Sequence, residues 1–224
     1  MSAPIRAVIL DAYGTVLDVH AAMQRQADRL PPDWERISAE WRSKQLEYTW
    51  IDTLTGHHRR DFWQVTQDAL AFVAVRHRIT DPAVLETLLD AYRRLPAYPD
   101  ALPALTALRE RGIRTAILSN GDPAMLHEAL TAARLAPLLD AVLSVEDVGA
   151  FKPDRRAYAL AEDRFSLPVG QMAFVSSNAW DAQAAAAAGF QVFWCNRTAQ
   201  PDEYGLRAAA TEMPGLSALP LLLA

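Results

Sequence analysis

The sequence has little with which to cross-link itself. Cys195 is its one cysteine, which excludes an intrachain disulfide and a thiolate metal cluster and fits a reducing, cytoplasmic setting. No apolar run approaches the roughly 20 residues needed to cross a bilayer. No such run follows a basic start either, so neither a signal peptide nor a membrane partner is expected. Basic residues are dispersed apart from Arg59-Arg60 and Arg93-Arg94, and the net charge is −5. That balance argues against a nucleic-acid partner. The five histidines do not pair at ligand spacing, and His57-His58 read as solvated surface in a polar turn. Repeats and disordered linkers are also missing. What remains is a chain of 224 residues, 51% hydrophobic and 22% charged. It has room for one domain with an insertion, or for two small domains.

The stretch Ala7–Thr15, AVILDAYGT, organises the rest. The apolar run up to Leu10 reads as a buried parallel strand. It stops at Asp11, with Gly14 three residues on. A carboxylate at the carboxyl end of a strand stands where open α/β sheets build their active sites. A lone acid there is costly to bury, yet by itself it reads as a turn cap.

Residues 16–98 then read as helices: His20–Leu30, Ser38–Thr55, Asp61–His77 and Asp81–Arg94, punctuated by Pro31-Pro32, Gly56 and Pro82. This predicts an all-helical cap inserted into a core of residues 1–15 and 99–224, seated over the carboxyl edge of the sheet. Within the second helix, Ile37, Trp41, Tyr48 and Ile51 form one apolar face. Arg42, Gln45, Leu46 and Thr49 form another, suited to a small, anionic, partly apolar molecule. On this helix alone Arg42 reads as a solvated arginine.

From about residue 100 the βαβ rhythm resumes. Helix Asp100–Arg111 precedes strand Arg114–Leu118, and a helix from Pro123 to about Arg134 precedes strand Ala141–Ser144. Helix Arg155–Phe165 precedes strand Met172–Val175, and the alanine-rich helix Asp181–Ala188 precedes strand Gln191–Trp194. The fold class is α/β, a doubly wound, mostly parallel, Rossmann-like sheet with a helical cap. Polar residues follow successive strands: Asp11 with Thr15, Ser119 with Asn120, Lys152, and Ser176 to Asp181. Singly they read as caps and surface; jointly they mark one crevice.

The ordered set DAYGT, LSNGDP, FKPD and VSSNAWD resembles the haloacid dehalogenase superfamily, and in detail the L-2-haloacid dehalogenases. WRSKQLEYTW (Trp41–Trp50) and DFWQVTQDA (Asp61–Ala69) resemble that family's cap. The resemblance covers nearly the whole chain and is weakest over about the last 25 residues. It implies Asp11 as nucleophile, Arg42 and Asn120 as the halide cradle, and Thr15, Ser119, Lys152, Tyr158, Ser176, Asn178 and Asp181 as the polar site. Tyr13, Leu46, Phe62 and Trp180 resemble the apolar wall. It further implies a 2-haloacid substrate, a halide product, no cofactor and no metal, and a homodimer, for which the apolar cap face is suited. Ser43 and Ala179 differ from some members.

Residue chemistry agrees with that assignment. Asp11 would attack a molecule that is itself a carboxylate, and two such charges about 4 Å apart repel by about 4 kcal/mol at an effective dielectric near 20. Lys152 can offset Asp11, while hydroxyls and backbone N–H groups near Thr15 can hold the substrate carboxylate. Arg42 and the Asn120 amide can stabilise the departing halide. Asp181 either holds Lys152 or activates water. The rival readings are a phosphatase of the same superfamily and a non-catalytic member. Phosphatases of that group usually carry a second acid two residues after the nucleophile as general acid. Here that position is Tyr13, with an ordinary pKa near 10.

Overall fold

In a computed structural model of the chain, residues 3–56 and 60–223 are described. His57-His58 therefore lie outside the described residues. The sheet orders its strands β3-β2-β1-β4-β5-β6: β1 Ala7–Leu10, β2 Arg114–Ser119, β3 Ala141–Ser144, β4 Met172–Ser176, β5 Gln191–Cys195 and β6 Ala210–Met213. Every pairing among them is parallel. The apolar run of β1 is continuous because both faces of the strand are covered. Val8 and Leu10 pack into one hydrophobic cluster, Ala7 and Ile9 into another with Tyr158, Phe165 and Phe190. The chain leaves β1 towards β2 and later returns to its other side as β4, so the order reverses between β1 and β4. The crevice outside the carboxyl ends at such a reversal is the favoured ligand position of this architecture.

Between β1 and α5 (Ala101–Glu110) lie the helices α1 Ala21–Gln24, α2 Trp34–Thr55, α3 Phe62–Arg76 and α4 Pro82–Arg93. After them come α6 Pro123–Ala132, α7 Arg155–Phe165, α8 Ala179–Ala188 and the short α9 Leu206–Ala209 and α10 Leu219–Leu222. Local chemistry sets many of the starts. Asp61, Asp81, Asp122 and Asp154 accept backbone N–H groups of the first turns of α3, α4, α6 and α7. Pro82 and Pro123 occupy early helical positions that need no N–H donor. The two segments joining the inserted helices to the sheet run side by side. Asp18 N donates to Pro96 O and Tyr98 N to Val16 O, each at 2.9 Å, and Leu17 bridges Ala97 in antiparallel fashion.

Several expectations need correction. The helix expected over His20–Leu30 is α1 followed by a 3-10 turn, Ala27–Arg29. Leu30 is extended, as a residue before proline must be. Helix α2 starts at Trp34, directly after Pro31-Pro32 and Asp33, not at Ser38, and α8 starts at Ala179, not Asp181. Ile51 is 53% exposed and does not belong to a buried face with Ile37 and Trp41. The buried stripe of α2 continues instead through Gln45, Thr49 and Asp52. Polar side chains can fill it because they are paired: Gln45 Nε2 donates to Thr66 Oγ1 at 3.0 Å, Tyr92 OH to Gln45 Oε1 at 3.1 Å, and Arg60 Nη2 to Asp52 Oδ1 at 2.7 Å. Strand β6 was not expected; as an edge strand with exposed Thr211 and Glu212 it lacks an apolar run.

Candidate active site

Asp11 closes β1, its N–H donating to Val175 O of β4 at 2.9 Å, and it is 6% exposed. The carboxylate is held from three directions. Thr15 Oγ1 donates to Oδ2 at 3.0 Å, Asn178 Nδ2 donates to the same oxygen at 2.8 Å, and Lys152 Nζ donates to Oδ1 at 3.2 Å. Gly14 makes the turn possible: its φ of 93° lies in the region that a side chain disfavours. Behind this group Lys152 Nζ also donates to Asp181 Oδ2 at 3.0 Å, Ser176 Oγ donates to that oxygen at 3.1 Å, and Tyr158 OH donates to Asp181 Oδ1 at 2.6 Å. Lys152 is 1% exposed and Asp181 fully buried, so one ammonium lies between two carboxylates away from water. Burial pushes the Asp181 carboxyl up, against the pull of Lys152. Burial, then the Asp181 charge, push the Tyr158 phenol well above its ordinary value, keeping it a donor.

Seven of the expected polar residues thus form one hydrogen-bonded network: Asp11, Thr15, Lys152, Tyr158, Ser176, Asn178 and Asp181. Asn120 joins through Oδ1, which accepts Lys152 N at 2.9 Å. Ser119 is buried at the end of β2, and its Oγ accepts Gly121 N at 3.1 Å; no recorded hydrogen bond ties it to Asp11. Arg42 reaches over from α2. Its Nη2 donates to Tyr13 O at 3.1 Å, while its buried Nη1 has no protein acceptor. An unpaired guanidinium N–H in a buried place is a donor awaiting an anion.

Aromatic rings close the space. Tyr13 lies 5.5 Å from Phe62 and stacks at 5.7 Å on Tyr92, and Phe62 faces Phe151 at 6.4 Å. The Tyr13 hydroxyl is buried without a partner, and burial first, then Tyr92 and Asp122, push its pKa well up. A Cβ on Gly121 would come within 2.9 Å of the Tyr13 ring, so glycine leaves that ring its place. Trp180 meets α2 rather than the network, edge-on to Trp50 at 5.6 Å. Leu46 is half-buried one turn beyond Arg42. Tyr92, which stacks on Tyr13, was not singled out from the sequence, and nothing in a helix of ordinary amphipathic pattern marks it.

A carboxylate past the first strand of a reversed parallel sheet, paired with a lysine and roofed by inserted helices, defines a haloacid dehalogenase-like hydrolase. The family model of that description matches residues 5–189. Among curated relatives, (S)-2-haloacid dehalogenase 1 of Pseudomonas sp. (strain CBS-3) is 44% identical over 221 residues, 98% of this chain and 97% of that one. A solved dehalogenase in an intermediate complex superposes with a TM-score of 0.96 at 42% identity, covering 100% of this chain and 99% of that chain. The L-2-haloacid dehalogenase of Xanthobacter autotrophicus, solved with chloropropionic acid covalently bound, gives a TM-score of 0.89 at 34% identity, with 98% of each chain covered. The protein belongs to the L-2-haloacid dehalogenase family.

Proposed function

We propose that the protein hydrolyses short-chain L-2-haloalkanoic acids to D-2-hydroxy acids through an ester on Asp11. The observation that carries this reading is Asp11 itself, a nearly buried carboxylate fixed by Thr15, Asn178 and Lys152. An Asp11 oxygen attacks C2 from the side opposite the halogen, the C2–halogen bond breaks, and the halide leaves with the bonding pair. Arg42 Nη1 and the Asn120 amide receive that new anion. Water then adds to the Asp11 acyl carbon, the acyl–oxygen bond breaks, and the alkoxide takes up a proton as the hydroxy acid departs. Lys152 stabilises charge on the Asp11 oxygens in both steps, and Asp181 with Ser176 and Tyr158 orients the ammonium. The wall of Tyr13, Leu46, Phe62 and Trp180 takes the carbon chain. Residues 16–98 serve as the cap that brings Arg42 to the site.

The phosphatase alternative requires a general acid where Tyr13 stands. A phenol whose pKa burial raises further gives up its proton poorly, and a halide leaves without one. A single turnover in ¹⁸O water with enzyme in excess tests the ester. Lactate from L-2-chloropropionate carries no label at its hydroxyl, the Asp11 peptide gains mass, and chiral chromatography finds D-lactate. Labelled first-turnover lactate with an unlabelled Asp11 peptide would show water attacking C2 directly and remove Asp11 from its role.

Arg42→Ala is expected to slow halide release on the order of 100-fold, the scale of losing one transition-state donor. Arg42→Lys should not restore it, because an ammonium lacks the planar fork. A near-normal rate in Arg42→Ala would return the residue to simple solvation.

The cap also supports a dimer of two copies. Leu54 and Val75, 82% and 83% exposed, stand at opposite ends of the packed pair α2 and α3, apolar side chains that a symmetric contact between two copies would cover. Light scattering should find a dimer for the native chain and a monomer for the double variant Leu54→Glu, Val75→Glu. A native monomer at micromolar concentration would overturn this assembly.

A further inference from the structure

We propose that Arg197 is a positioning residue for the nucleophile turn, clasping it to the place where the inserted helices join the sheet. The proposal rests on the reading of Asp11 as nucleophile. Arg197 follows β5 at its carboxyl end, on the same edge of the sheet as Asp11, and lies outside every motif that forms the site. Its guanidinium makes three bonds. Nη1 donates to Asp100 Oδ2 at 2.8 Å, and Nη2 donates to Asp100 Oδ1 at 3.0 Å and to the carbonyl oxygen of Thr15 at 3.0 Å. The same group lies 4.2 Å over the ring of Tyr98.

Charge pairing with Asp100 alone would need no more than an ammonium. The third bond, to a backbone carbonyl, is directional, and the planar fork makes it while also holding both oxygens of Asp100. Thr15 is where that bond matters. Its Oγ1 donates to Asp11 and accepts Ser177 N at 2.9 Å, so fixing the residue's backbone fixes the hydroxyl that holds the nucleophile. Tyr98 and Asp100 lie on the other connecting segment, the one paired with Val16–Asp18. Arg197 therefore touches both connections at the point where they enter the sheet. Asp100 is pinned in turn: its Oδ2 accepts Leu216 N at 2.7 Å, and a Cβ on Gly215 would come within 2.7 Å of that oxygen. The expected consequence is that movement of the cap about the paired segments and the orientation of the Asp11 carboxylate are coupled through one side chain.

The test uses the full chain at 25 °C, with folding of each variant checked by circular dichroism. In Arg197→Ala, kcat for L-2-chloropropionate should fall on the order of 10-fold or more with KM little changed, as for a misplaced reacting group. Millimolar guanidinium chloride should return part of the rate, and Arg197→Lys should remain slow. Asp100→Asn, which keeps the shape and removes the charge, should shift kcat in the same direction. A merely structural role would lower thermal stability while leaving kcat per folded molecule at the native value, and that result would overturn the proposal. A second measurement is independent of the substrate. The Thr15, Val16 and Leu17 amides all donate to Ala12 O, and their hydrogen exchange should quicken in Arg197→Ala. A native protein that releases no halide would refute the reading of Asp11. Unchanged exchange at these amides would refute the clasp, whatever the enzyme hydrolyses.

Discussion

Asp11→Asn is expected to lower halide release from L-2-chloropropionate by roughly 10⁴-fold or more, the scale of deleting a covalent nucleophile. The substitution preserves shape and removes the reacting lone pairs on one side, because an amide nitrogen is a poor nucleophile at carbon. It also turns an acceptor into a donor against neighbours that only donate there: Lys152 Nζ on Oδ1, or Thr15 Oγ1 and Asn178 Nδ2 on Oδ2. One of those hydrogen bonds is therefore lost in a buried place, which costs about 1–3 kcal/mol. The variant should remain folded with a lowered thermal midpoint. Mass spectrometry of the peptide containing residue 11 should find no substrate adduct. A variant that retained a hundredth or more of the native rate would sink the assignment, since neither a nucleophile nor a base at position 11 would then be needed.

Lys152→Met should have the second large effect, and it should act on stability as well as rate. Lys152 lies 3.2 Å from Asp11 and 3.0 Å from Asp181, and a unit-charge pair near 3 Å is worth about 5 kcal/mol at an effective dielectric near 20. Methionine fills much of the same volume and leaves two carboxylates facing each other out of water. Removing one partner of a buried ion pair costs about 3–5 kcal/mol. The rate should fall on the order of 1000-fold, because the anionic substrate then meets an uncompensated Asp11.

The pH dependence of that loss has a definite sign. Burial and the Asp11 charge raise the Asp181 carboxyl, and in the native protein Lys152 opposes them. Without Lys152 the folded state holds a proton to higher pH than an unfolded carboxyl, whose pKa is about 3.9. The folded state then binds more protons than the unfolded one, so the variant is least impaired below about pH 4 and loses stability as pH rises through the raised folded pKa. Urea midpoints measured from pH 4 to 8 should show the gap between native and variant widening with pH. A gap independent of pH would mean that the two acids do not face each other unpaired. Because the ammonium bridges the carboxylates that would otherwise attract a divalent cation, native halide release should survive EDTA. Loss on chelation with recovery on added Mg²⁺ would favour the phosphatase alternative.

Much of this arrangement was legible before any coordinates. The strand ending in Asp11 announces itself because a buried parallel strand must be apolar throughout, so an acid at its end stands out. The same logic located Ser119, Asn120 and Ser176 to Asp181 at successive strand ends. Applied once more, to the strand ending near Trp194, it would have marked Arg197. The Asp caps before α3, α4, α6 and α7 are equally local, since each bonds the turn that follows it. The misreading of α2 has a different origin. Periodicity assumes that a buried face is apolar, whereas Gln45, Thr49 and Asp52 are buried there, Gln45 and Asp52 against partners on α3, α4 and the turn before α3.

The sequence by itself determined the parallel sheet, the run of helices between its first two strands, an acid at the end of the first strand and the family's motif set, because each rests on residues within one turn or one strand of each other. Tertiary structure alone decided that Lys152 lies between Asp11 and Asp181, which are 170 positions apart in the chain. It alone decided that Arg42 presents a partnerless N–H instead of a solvated charge, and that Arg197 clasps Thr15 to Asp100. Those contacts join segments distant in sequence, and hydrogen-bond direction and desolvation exist only once packing has brought the segments together.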